Sequence, residues 1–143
     1  MNREIKFRIW NRDAEQWYEP VFEAYKGLLF ELLLTTSGEL CERSMQGFTH
    51  ESRFPGKYVI QQYTGLKDKN GKEIYEGDIL SVDVETETEK MTMQDDYLLA
   101  VVKWNHAGFW ASVETDEGEA LTEIDHDTIV IGNIYENPEL LAE

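Results

Sequence analysis

Gln62-Tyr63-Thr64-Gly65-Leu66-Lys67-Asp68-Lys69-Asn70-Gly71-Lys72-Glu73-Ile74-Tyr75-Glu76-Gly77-Asp78-Ile79 concentrates the turn chemistry that decides how this chain folds. Leading into it, Lys57 to Tyr63 alternates as a strand, with Tyr58, Ile60 and Gln62 opposite Val59, Gln61 and Tyr63. Gly65 relieves the backbone where that strand ends. Asn70-Gly71 is the strongest short-range turn signal, because both residues tolerate the positive φ of a type I′ turn. It predicts a hairpin tip carrying Lys67, Lys69 and Lys72, bracketed by Tyr63 and Tyr75. Glu76-Gly77-Asp78 then opens the clearest strand, with the Asp78 carboxylate placed to accept backbone N–H groups. Leu80, Val82 and Val84 fall on one side of it, expected in the core. Ile79, Asp83, Glu85, Glu87 and Glu89 fall on the other, where the carboxylates from Asp83 to Glu89 are expected in solvent because an unpartnered buried carboxylate costs several kcal/mol.

Outward from this stretch the pattern stays short-stranded. Glu4 to Trp10 alternates, with Ile5, Phe7 and Ile9 on one face, and Gln16 to Val21 returns after the polar turn Asn11-Arg12-Asp13. Leu28 to Leu34 is apolar on both faces except at Glu31, which suits a doubly buried strand or a short helix; flanking Gly27 and Thr35-Thr36-Ser37-Gly38 favour a strand. Residues 37–57 show no clear period and read as a long connection with a helical turn or two. Tyr97 to Trp104, Phe109 to Val113 and Thr128 to Ile134 read as strands, Glu114 to Glu119 as an acidic turn, and Pro138 as the start of one helical turn. Short strands with turn signals every ten residues or so indicate an all-β fold, a small barrel or sandwich of antiparallel strands with a few short helical segments. No linker divides the chain, so residues 1–143 are expected to form a single domain.

Charge is distributed unevenly. Residues 1–72 hold 11 Lys/Arg and 10 Asp/Glu, whereas residues 73–143 hold Lys90 and Lys103 against 19 acids, so nearly all of the net charge of −16 lies in the second part. That field repels phosphate backbones and anionic lipids, which argues against direct nucleic-acid binding and against membrane association. No apolar run approaches the roughly 20 residues of a membrane-spanning helix. Cys41 is alone, so neither a disulfide framework nor a four-thiolate metal site is available. The expected location is a reducing cytoplasm.

Three blocks, the one quoted first together with Ile5-Lys6-Phe7-Arg8-Ile9-Trp10-Asn11 and Val130-Ile131-Gly132-Asn133-Ile134-Tyr135-Glu136-Asn137-Pro138-Glu139-Leu140-Leu141, resemble in order the motifs of the YopX family of bacteriophage and prophage proteins. The resemblance implies a β-rich fold and a phage lineage. It implies no activity, since the family has none established.

The residues themselves offer little catalytic chemistry. His50, His106 and His126 are not paired at ligand spacing, and Asp125 and Asp127 beside His126 point to opposite faces of an extended chain. The segment Asp68 to Glu73 fails as a calcium loop: its glycine is misplaced, lysines intrude and no bidentate Glu follows at the twelfth position. Ser37, Ser44, Ser52, Ser81 and Ser112 lack a nucleophile elbow. Glu39 and Glu42 beside Cys41 oppose thiolate formation. Gly65, Gly71 and Gly77 are too widely spaced for a phosphate loop. No catalytic residue, cofactor or metal is expected.

Three function classes follow. The first is a phage accessory protein that binds another protein without catalysis, through a tip formed by Tyr63, Lys67, Lys69, Lys72 and Tyr75. Self-association is expected too, because Leu28–Leu34 and 4 Trp supply more apolar surface than a small barrel hides. The second is a nucleic-acid mimic built on Asp83, Glu85, Glu87 and Glu89; carboxylates roughly 6.6–6.8 Å apart on one strand are half as dense as DNA phosphates. The third is an enzyme acting on phage or host nucleotides.

Overall fold

A computed structural model describes residues 4–83, 97–105, 108–115, 118–124 and 127–141. In chain order the strands are β1 (Phe7–Asn11), β2 (Gln16–Trp17), β3 (Val21–Glu23), β4 (Leu28–Leu34), β5 (Leu40–Ser44), β6 (Gly47–His50) and β7 (Tyr58–Lys67). They continue with β8 (Glu73–Tyr75), β9 (Asp78–Asp83), β10 (Tyr97–Asn105), β11 (Gly108–Thr115), β12 (Gly118–Thr122) and β13 (Ile129–Asn133). The helical segments among the described residues are 3-10 turns at Ala24–Lys26, Glu51–Arg53 and Pro138–Leu141. The fold is all-β and antiparallel, as the spacing of turn signals indicates. No helix among the described residues is long and apolar enough to cross a membrane.

The chain divides into two compact units, one of residues 1–8 and 61–143 and the other of Ile9–Ile60. The larger holds a five-stranded antiparallel sheet in the order β12-β11-β10-β9-β13. One face of this sheet presents Leu80, Ala100, Val102, Ala111, Val113 and Val130, and Ile74 of β8 packs into the same cluster. Phe109 and Ile124 close its margin. Ile79 is fully buried although it points to the opposite face from Leu80. As an inner strand between β10 and β13, β9 is covered on both faces here, so period-two alternation of polarity has no reason to appear. Asp83 ends β9, and Glu85, Glu87 and Glu89 lie outside the described residues.

The smaller unit pairs β1 with β2, Trp10 opposite Trp17 with their rings edge to face, and orders its main sheet β3-β4-β5-β6. Leu28–Leu34 is a strand, which resolves the two open readings. Residues 37–57, expected as a connection, instead supply β5 and β6. The period was hidden because neither face alternates cleanly. On the packed side, Glu42 interrupts the apolar run, accepting from Lys57 Nζ at 3.1 Å and Tyr58 Oη at 2.9 Å. On the other, Phe48 stands in solvent. The chain reverses within the acid-rich stretch Glu114 to Glu119 as expected, with Glu114 and Glu119 themselves register partners on β11 and β12. Lys103 Nζ, 2.8 Å from Glu119, offsets the like charges.

Candidate functional site

The hairpin β7–β8 displays the residues that the sequence singles out. Its tip differs from the expected type I′ turn. Gly71 N–H donates to the Asp68 carbonyl at 3.0 Å and Asp68 N–H to the Lys72 carbonyl at 2.8 Å, leaving a three-residue loop, 69–71. Gly71 alone is left-handed, at φ 85°, which makes this a tight turn closed by a glycine bulge. Asp68 explains the choice. Its buried carboxylate accepts the Asn70 and Lys72 amides, each at 2.8 Å, and the Val130 amide of β13 at 2.9 Å. Burial acts to raise its pKa, but these amides together with the Lys72 charge hold it below the ordinary carboxylate value. Lys69 N–H adds a bond to the Thr128 carbonyl at 3.0 Å. The tip is therefore clamped to the five-stranded sheet, and Lys67, Lys69 and Lys72 project from it exposed.

Tyr63 and Tyr75 are register partners with ring centroids 5.5 Å apart. Tyr63 is only 5% exposed, so its ring belongs to the support of the hairpin, while Tyr75 keeps a partly open edge. Burial, followed by the nearby Glu73 charge, raises both phenol pKa values. Lys6 pairs with Glu73 and lies 5.2 Å from the Tyr63 ring centre. The Glu73 hydrogen bond is the main reason that the Lys6 pKa is raised, and the same bond lowers that of Glu73.

Beneath Tyr75 lies a buried polar network that residue patterns did not disclose. Arg8 stacks on the Tyr75 ring at 4.4 Å and pairs through Nη2 with Asp78. Its Nε donates to Gln61 Oε1 at 3.1 Å. Asn133 Nδ2 donates to Gln61 Oε1 at 3.0 Å and to Asp78 Oδ1 at 3.2 Å. Asp78 Oδ2 accepts the Tyr75 amide at 2.8 Å, as Gly77-Asp78 suggested. Gly77, at φ 86°, sits where a Cβ would run into the Gln61 carboxamide. Among the described residues, every buried side-chain nitrogen or oxygen has a hydrogen-bond partner. These groups hold one another in place.

In the smaller unit a cavity of about 380 Å³ lies among Leu40, His50, Glu51, Ser52, Phe54, Lys57 and Tyr58. Lys57 is neutralised by Glu42 at 3.1 Å, and His50 Nε2 lies 3.4 Å from Glu39. Burial, then hydrogen bonding to Glu42, raises the Tyr58 pKa. Lys57 is thus not a free cation in this cavity, while His50 Nδ1 lies 3.1 Å from the Ser52 hydroxyl and accepts the Ser52 amide at 3.1 Å. Among the described residues no group of three His, Cys, Asp or Glu is placed to hold a metal ion.

The tip lysines come together as expected, with Tyr63 withdrawn beneath them. Arg8, Gln61 and Asn133 were not legible as a site, although Arg8 and Asn133 fall inside the flanking blocks that carry the family resemblance. The sequence model described as YopX protein matches residues 6–142. The crystal structure of protein EF1440 from Enterococcus faecalis is similar at 27% identity, covering 98% of this chain and 99% of that one, with a TM-score of 0.56. The crystal structure of protein yopX from Bacillus subtilis shares the fold at 18% identity, with 94% and 96% covered and a TM-score of 0.53. A comparison with curated proteins found no match.

Proposed function

This chain belongs to the YopX family, and we propose that it is a bacteriophage or prophage accessory protein that acts in the host cytoplasm as a non-catalytic protein-binding module. The observation that carries this reading is the clustering of three exposed lysines on one clamped turn. Lys6, Arg8, Arg43, Lys57 and Lys103 are each bonded to a carboxylate. Among the described residues, no carboxylate lies within ion-pair distance of Lys67, Lys69 or Lys72. In a chain of net charge −16, three exposed lysines on one clamped turn, where Lys67 acts on Glu73 and Lys72 on Asp68 only through longer-range attraction, are a feature to be met from outside. A rigid tip loses little entropy on docking, and a basic one selects a complementary acidic surface. The exhaustive internal bonding of the buried polar groups supports a scaffold over a catalyst.

The test is capture from host lysate by the tagged chain and by a variant with Lys67, Lys69 and Lys72 all changed to Glu. A host or phage protein identified by mass spectrometry, retained by the parent and lost with the variant, supports the reading. The same protein retained equally by both would refute the tip as the binding surface.

A further inference from the structure

The β3-β4-β5-β6 sheet has one open face. Cross-strand partners share a face, so the registers Phe22–Leu29, Glu31–Arg43–Phe48 and Leu33–Cys41–His50 place these side chains together. The opposite side carries Phe30, Leu32 and Leu40, with Leu32 and Leu40 in the core. On the open side Phe22 is 60% exposed and Phe48 69% exposed. Between them, on the inner strands, Glu31 Oε1 and Arg43 Nη1 form an ion pair at 2.8 Å. Two aromatic anchors thus flank a central neutral pair. Isolated exposed apolar residues need no explanation; two exposed rings on the outer strands of one sheet face, with an ion pair between them, do.

We propose that this face docks against the same face of a second copy, making a two-fold dimer. Charge complementarity selects that occupant. Ile9–Ile60 carries 8 Asp/Glu and 5 Lys/Arg, leaving −13 of the −16 to the rest of the chain. Two copies repel least through the smaller unit. A two-fold axis along the strands between β4 and β5 sets β4 of one copy over β5 of the other. It brings Arg43 of each copy to Glu31 of its mate, and β3 over β6 brings each Phe22 toward the other copy's Phe48. A face with one acid and one base on adjacent inner strands is its own complement, as an isologous interface requires. Sheets stacked in this way pack about 10 Å apart with near-parallel strands.

Sedimentation velocity on the full chain from about 1 to 100 µM reads the result, with far-ultraviolet circular dichroism and thermal unfolding as checks on folding. The parent is expected to be a dimer at the upper end of that range. Phe48→Glu and Arg43→Glu should each raise the dimer dissociation constant by roughly 100-fold with the fold intact, as loss of a central anchor does. The exchange Glu31→Arg with Arg43→Glu keeps every pair in reversed order and should restore the dimer. A parent monomeric at 100 µM, or a dimer indifferent to Phe48→Glu, would overturn the proposal. The triple lysine-tip variant should still dimerise, so failure of the tip as a binding surface and failure of the dimer are separate results.

Discussion

The Asp68 carboxylate accepts the Val130 amide at 2.9 Å, tying a hairpin tip to a strand 62 residues further along the chain. Replacing Asp68 by Asn keeps one acceptor but turns an amide group toward backbone donors, and should cost about 2–3 kcal/mol at neutral pH. The folded pKa is lowered, so the carboxylate's contribution is fully present above the ordinary value of 3.8 and lost as pH falls through the folded value. Urea midpoints should therefore show a constant gap between parent and variant from about pH 8 to 5, closing only below about pH 4. A gap that persists unchanged into acid would contradict the latch.

Gly71 is left-handed at φ 85°, and a Cβ there meets nothing within 4 Å. Backbone strain alone is at stake. Gly71→Val should cost about 1–2 kcal/mol and Gly71→Asn much less, because Asn tolerates this region and a β-branched residue does not. Equal melting temperatures for the parent and both variants would remove the turn assignment.

Gly77 has nearly the same φ but no space. Its Cβ would strike the Gln61 carboxamide that Arg8 and Asn133 share. Gly77→Ala should cost about 3 kcal/mol, at least about 1 kcal/mol more than Gly71→Ala. In a double-mutant cycle with Gln61→Ala the two losses should fall short of their sum by about 1 kcal/mol or more. Strict additivity would show that the clash is relieved elsewhere.

Arg8 and Lys6 lie near each other in sequence and form pairs of different worth. Asp78 is 1% exposed, so Arg8→Ala strands a buried carboxylate and should cost about 3–5 kcal/mol. Arg8→Lys should recover only part of that, since Lys lacks the Nε donor to Gln61 and the flat surface that stacks on Tyr75. Lys6 and Glu73 are about a third exposed, and Lys6→Ala should cost far less than Arg8→Ala, less still in about 0.5 M salt. Chemical denaturation at two ionic strengths separates the two cases. A salt-sensitive loss at Arg8 would count against a buried pair.

The strands were legible where one face is more deeply buried than the other, as Gln61 and Tyr63 are against Tyr58, Ile60 and Gln62, or where turn residues bounded them, as at Asn70-Gly71. They were illegible where that contrast was missing. Ile79 and Leu80 are both buried although they point to opposite faces of β9, and β5–β6 pair a packed face holding Glu42 with an open face holding Phe48. The turn type at Asn70-Gly71 was misread for a related reason. Its geometry follows from Asp68 accepting three amides, one of them from β13, and no local signal carries that partner.

The sequence by itself determined the family, the all-β class, the exposed lysine tip and the glycines at left-handed turns, because each depends on local conformational preference or on residues a few positions apart. Only the tertiary structure decided that Tyr63 is withdrawn from the tip, that Arg8, Gln61, Asp78 and Asn133 form one network, and that the β3–β6 sheet keeps an aromatic face open. Those outcomes depend on which segments, dozens of residues distant, supply the partner that a buried charge or amide must have. Chain order leaves that partner open; packing settles it.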